Sequence, residues 1–231
     1  MWNVPQEAYK NVVAFWPVVG WLTGGISVFV LLMTAEILPF TVSVTLMFLV
    51  RILLTGALHD DGLADFCDGF GGGTSRERIL AIMKDSHIGT YGVIGLIFYY
   101  LTAIGLVSSL PLHLAAPAVF VGDVWSKFCA GRIIDFLPYA RTAEQAKNKL
   151  VYNHLSVGLW IMSFVFGAFP LILFGASYYL LAALCPMIVS ALLILLMKKK
   201  IQGYTGDCCG ATFLLSELSF FLGIVIVNHL I

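Results

Sequence analysis

The stretch LPFTVSVTLMFLVRILLTGALHDDGLADFCDGFGGG, residues 38–73, changes character half-way. Residues 38–57 are predominantly apolar, with Arg51 as their only charge. A run of about 20 such residues is what a helix needs to cross ~30 Å of hydrocarbon. Residues 58–73 then place Asp60, Asp61, Asp65, Asp68 and His59 within ten positions, in a chain that is 11% charged and 60% hydrophobic. A lipid-soluble segment thus runs straight into a cluster of carboxylates, and the fold must accommodate both.

The rest of the chain resembles the first half of this stretch. Mean hydropathy is +0.94, and the charged fraction is well below the roughly 25% of soluble domains. Apolar runs at about 12–33, 38–57, 91–110, 115–137, 155–174, 178–197 and 211–230 predict seven transmembrane helices. With their loops they fill residues 1–231, predicting one all-α, polytopic membrane-embedded domain without repeats or linkers. The N-terminal MWNVPQEAYKN is too polar for a signal peptide, and the following run is too long for one. The five cysteines form no CxxC pair, so neither a zinc site nor a disulfide framework is expected. Zero net charge without basic patches argues against nucleic acid as a partner.

Loop charges predict the orientation. One set of connections holds Lys10; Arg76, Arg78 and Lys84; Arg141, Lys147 and Lys149; and Lys198, Lys199 and Lys200. The opposite set, near 34–37, 111–114 and 175–177, holds no Lys or Arg. Basic loops face the cytoplasm. The Asp-rich segment and residues 139–153 and 198–210 are therefore expected there, with the N-terminus inside and the C-terminus outside. The site would lie on the cytoplasmic face of a prokaryotic plasma (inner) membrane.

If 61–68 is helical, Asp61, Asp65 and Asp68 fall within about 60° of one another. Like charges at i,i+4 repel by a few tenths of a kcal/mol per pair, so the stripe implies a compensating cation. Hard oxygen ligands of this kind suit Mg²⁺ with substrate phosphate. Asp60 points about 100° away. His59 is a candidate proton acceptor, ligand or cap. Leu63, Phe66 and Phe70, interleaved with the carboxylates, predict a helix lying against the bundle rather than a solvated loop.

Three further stretches gather polar groups at the same end. After Gly71–Gly73, Thr74 and Glu77 predict a capping box that opens a short amphipathic helix. In KDSHIGTYG, residues 84–92, Lys84, Asp85, Ser86, Thr90 and Tyr91 sit beside two glycines, a composition suited to gripping phosphate. In QGYTGDCCGAT, residues 202–212, Thr205 and Asp207 precede a helix that carries Glu217 into the membrane. Asp123 and Lys127, at i,i+4, form a candidate intramembrane ion pair, and charges inside spans are functional by default. Arg51 is a candidate counter-charge for the aspartates. Polar groups collected at one mouth fit transfer chemistry better than transport, which places its sites near the midplane.

The motifs LHDDGLADFCDGFGG, IMKDSHIGTYG and GYTGDCCGA, in this order, resemble the cobalamin synthase family, also called adenosylcobinamide-GDP ribazoletransferase or cobalamin-5'-phosphate synthase. The resemblance covers essentially the whole chain. It implies a Mg²⁺-dependent enzyme of late vitamin B12 assembly that joins adenosylcobinamide-GDP to α-ribazole or its 5'-phosphate and releases GMP. It further implies Mg²⁺ on Asp61, Asp65 and Asp68, and a base at His59 or one of these carboxylates. Phosphate contacts would come from Lys84, Arg76 or Arg141, with Asp207 supporting the metal or nucleotide end. Asp60 stands where the family pattern is expected to be apolar, and His87 where it often has Arg. The lipid bilayer is an implied partner, and homo-oligomerisation is left open. CDP-alcohol phosphotransferases and prenyltransferases are the nearest rivals, but their aspartate spacing or partner motifs do not fit. A cation transporter is a rival from a different class.

Overall fold

The computed structural model describes residues 9–141, 151–175 and 177–231. Lys147 and Lys149 of the charge count, and most of the polar N-terminal stretch, lie outside the described residues. Where described, the chain is helical as expected. The helices are α1 (Trp16–Ala35), α2 (Phe40–Thr55), α3 (Leu58–Gly72), α4 (Arg76–Ile82), α5 (Thr90–Ser108), α6 (Leu112–Gly131), α7 (Ile133–Phe136), α8 (Val157–Ala168), α9 (Leu184–Lys200) and α10 (Gly206–Leu230). Short 3-10 segments, Phe169–Phe174 and Tyr178–Ala183, extend α8 and precede α9.

Five helical segments are long and apolar enough to cross a membrane: Val12–Ala35, Thr90–Ser108, Val157–Phe174, Tyr178–Lys200 and Gly206–Leu230. Together α2 and α3 would make a sixth, but they meet at 92°. The bend follows from Gly56 and Ala57, both left-handed at φ 61° and 57°, which stop α2 and redirect the chain. The carboxylate segment is therefore a separate helix set across the end of the span. The remaining expected span, the fourth in chain order at 115–137, is α6, which is 20 residues long but carries Asp123 and Lys127. It tolerates them because it runs through the middle of the bundle, with Val121 to Gly131 all buried.

α6 and α10 form the centre. α1 packs along α6 because Gly20 and Gly24 present no side chain, and a Cβ on Gly20 would lie 2.8 Å from the Val124 Cα. Such small-residue stripes let membrane helices approach at backbone distance. α10 packs against α3 by the same device. A Cβ on Gly62 would lie 2.9 Å from the Asp207 carbonyl oxygen, and one on Gly210 would lie 3.3 Å from the His59 Cα.

At this end of the bundle two arginines tie the connections together. Arg76 donates to the carbonyls of Ile201 and Ala140 at 2.8 Å each, and Arg141 donates to Leu80 at 3.0 Å. The Tyr204 backbone bonds to Pro138 and Ala140. The short helix α4 forms as expected, but its cap is Ser75, which accepts from the Arg78 amide, one residue later than the Thr74–Glu77 box predicts.

Candidate functional site

The α3–α10 crossing decides what the aspartates do. Asp61 and Asp65, one turn apart on α3, face Asp207 in the first turn of α10. One carboxylate oxygen of each lies within 4.8 Å of the others. Asp61 is exposed, Asp65 half-buried and Asp207 buried, so the group opens outward from a covered floor. Thr205 caps α10 by accepting from the Cys208 amide, and this places Asp207 at the positive end of the helix.

Asp68 does not join them. Its two oxygens accept from the Gly89 amide at 2.6 Å and the Gly92 amide at 2.8 Å, at the N-terminus of α5. A Cβ on either glycine would fall 2.5 Å from that carboxylate. The glycines of the GTYG stretch thus make room for Asp68, and the sequence stripe of three divides into two site carboxylates and one helix cap. Asp68, expected beside Asp61 and Asp65, thus lies apart from them, and Asp207, contributed from the other end of the chain, stands beside them instead.

His59 is half-buried, its ring edge-on to Phe213 at 4.7 Å. Lys84, Asp85 and Ser86, and Thr90 and Tyr91 at the start of α5, are exposed. Hydrogen bonds from the His87 side chain and backbone hold the Asp85 carboxyl below its ordinary range. Arg76 and Arg141, expected on phosphate, instead reach backbone carbonyls. A pocket of about 210 Å³ lies beside the carboxylates, lined by Ala57, Asp60, Asp61, Ala64, Asp65, Ser86, Ile88 and Leu96.

A carboxylate floor next to a loop rich in hydroxyls and a small pocket fits metal-assisted chemistry on a phosphorylated substrate, and the comparisons identify the lineage. The family model described as Cobalamin-5-phosphate synthase matches residues 2–225. This chain belongs to that family. Curated relatives named adenosylcobinamide-GDP ribazoletransferase include one from Leptospira interrogans, 35% identical over 92% of this chain and 83% of the relative. Another, from Shewanella sp. strain W3-18-1, is 37% identical over 99% and 88%, and one from Leptothrix cholodnii is 38% identical over 96% and 90%. No solved structure matches the chain.

In this family member two buried charge clusters underlie the site. Arg51 pairs with Glu217 at 2.5 Å, and Tyr99 bridges them, accepting from Arg51 and donating to Glu217 at 2.9 Å each. Arg51 therefore compensates Glu217 rather than the aspartates of α3. Lys127 pairs with Asp123, as the i,i+4 spacing predicts, and Thr23 from α1 donates to the same carboxylate. The Phe213 ring takes Lys127 at 4.0 Å and Arg51 at 5.8 Å. Sequence reasoning missed Tyr99, Tyr100 and Phe213. Aromatic residues in apolar spans carry no local signal, although a Tyr at the depth of a buried Arg and Glu is a natural partner.

Proposed function

We propose that this late-step transferase of cobalamin biosynthesis joins adenosylcobinamide-GDP to α-ribazole, or to α-ribazole 5'-phosphate, and releases GMP. A ribose hydroxyl of the acceptor attacks the cobinamide-side phosphorus. The bond from that phosphorus to the bridging oxygen breaks, GMP leaves with the oxygen, and the hydroxyl proton passes to a protein base. Beyond family membership, the observation that carries this reading is the meeting of Asp61, Asp65 and Asp207 within 4.8 Å beside a pocket.

Three carboxylates from two helices are a hard oxygen donor set, and they fit Mg²⁺. When bound there, the cation would neutralise charge on the transferred and leaving phosphate oxygens. Asp61, Asp65 and Asp207 would hold it. His59, whose ring packs on Phe213, or one of these carboxylates is the candidate proton acceptor. Lys84, Ser86, Thr90 and Tyr91 offer an exposed cation and hydroxyls to the diphosphate. Arg76 and Arg141 hold the loops around the site. We place this end of the bundle on the cytoplasmic face, because Arg76, Arg78, Lys84, Arg141 and Lys198–Lys200 gather there.

The test is GMP release by detergent-purified protein given both substrates and Mg²⁺, with EDTA and Asp65→Asn as controls. Release that requires both substrates and disappears in both controls is expected. Folded protein that releases no GMP in detergent or in liposomes would overturn the reading.

A further inference from the structure

The pocket beside the carboxylates has a mixed lining. Ala57, Ala64, Ile88 and Leu96 are apolar, while Asp60, Asp61, Asp65 and Ser86 are polar. Asp61 and Asp65 belong to the three-carboxylate group, so whatever fills the pocket lies directly against that group. Asp60 does not belong to it. One of its oxygens accepts from the Tyr100 hydroxyl of α5. This fixes the carboxylate while leaving its second oxygen with acceptor capacity, since an ionised carboxylate offers about four lone-pair sites.

Volume and charge restrict the occupant. At about 210 Å³ the pocket is smaller than the roughly 300–1,000 Å³ of sites for drug-sized ligands, so it takes one ring of a substrate and not a whole nucleotide. Asp61 and Asp65 are the pair assigned above to Mg²⁺, which leaves Asp60 as the carboxylate free of that task and able to accept hydrogen bonds from hydroxyls. A sugar ring answers both kinds of lining, its hydroxyls toward Asp60 and its carbon face toward Ile88 and Leu96.

We propose that Asp60, braced by Tyr100, is a substrate-binding residue that holds the ribose of the nucleoside acceptor and sets its specificity. This rests on the function proposed above. It gives Asp60 a task distinct from the metal-facing carboxylates. It holds a non-attacking ribose hydroxyl, so that the attacking one is presented to the neighbouring Asp61, Asp65 and Asp207. The acceptor's phosphate, where present, points out of the pocket.

The test uses the full-length protein with Asp60→Asn, which is nearly isosteric, and Tyr100→Phe. Steady-state GMP release is measured with each substrate varied in turn. Losing a charge-assisted hydrogen bond is expected to raise KM for α-ribazole about tenfold in Asp60→Asn. Tyr100→Phe is expected to raise it by a smaller factor, and both are expected to leave KM for adenosylcobinamide-GDP within about twofold. An acceptor lacking a non-attacking ribose hydroxyl is expected to be a poorer substrate for the unmutated protein, but to lose nothing further in Asp60→Asn. Turnover with an unchanged KM for α-ribazole in Asp60→Asn, or an equal rise for both substrates, would overturn the assignment alone. Silence of the unmutated protein would count against the proposed reaction instead. For that case, equilibrium binding of α-ribazole in EDTA is a readout that needs no turnover. Binding weakened by Asp60→Asn supports the pocket, and equal or absent binding overturns it.

Discussion

Gly62→Ala tests whether the α3–α10 crossing builds the site. In an exposed helix interior the change would gain about 1 kcal/mol, because alanine is the better helix former. Here the new Cβ would lie 2.9 Å from the Asp207 carbonyl oxygen, 3.2 Å from its Cα and 3.4 Å from the Gly210 Cα. Relieving three such contacts requires the helices to separate by roughly 0.5–1 Å, since unstrained carbon–carbon contacts begin near 3.5 Å. Overpacking of this kind costs about 1–3 kcal/mol and outweighs the propensity gain. The displaced residue is Asp207 itself, whose carboxylate must stay with those of Asp61 and Asp65. Misplacement near 1 Å costs on the order of 100-fold in rate, and metal ligands tolerate about 0.2 Å. GMP release is therefore expected to fall about 100-fold, with a rise in the Mg²⁺ concentration needed for half-maximal rate. Gly25→Ala is the control, because nothing lies within 4 Å of its added Cβ. It is expected to leave rate and Mg²⁺ dependence unchanged. Ordinary turnover by Gly62→Ala at ordinary Mg²⁺ would refute the account of the crossing.

Four more outcomes separate the roles assigned above. Asp207→Asn is expected to shift the Mg²⁺ titration as strongly as Asp65→Asn does, measured by GMP release across Mg²⁺ concentrations. Asp68→Asn is expected to leave the Mg²⁺ midpoint in place and to lower stability by about 1–3 kcal/mol, read by thermal unfolding in detergent, because it weakens two amide contacts to α5. Glu217→Ala strands the buried Arg51 and is expected to cost about 3–5 kcal/mol in denaturant titration, whereas Arg51→Met with Glu217→Leu recovers most of that loss. Single cysteines at Lys199 and His113 are expected to label from opposite faces of intact vesicles, Lys199→Cys from the cytoplasmic face only; labelling from one face would overturn the orientation.

The sequence made the helices legible because each must bury its backbone polar groups within itself, and the ~20-residue apolar run records that constraint. It also revealed local pairs, such as Lys127 with Asp123 and Asp61 with Asp65, since helical periodicity fixes which side chains share a face. Periodicity fixes azimuth but not competition, and Asp68 marks the difference. It lies on the same stripe as Asp61 and Asp65, yet two backbone amides of α5 claim both its oxygens. Nothing in residues 58–73 could signal that, because the signal was in Gly89 and Gly92, whose missing side chains leave space for a carboxylate. Asp207 reads from the sequence as a candidate for the metal or nucleotide end, but its meeting with Asp61 and Asp65 was hidden for the same reason. Asp207 reaches Asp61 and Asp65 only where Gly62 meets Gly210 at backbone distance, and a lone glycine in a helix reads locally as a weakness. The span reading stops at residue 57, where the character of the chain changes, but the 92° turn made there by Gly56 and Ala57 is expressed only in dihedral angles. In the first two places the glycines register tertiary approach, and in the third a left-handed turn. In this chain they locate the active end of the bundle as surely as the aspartates do.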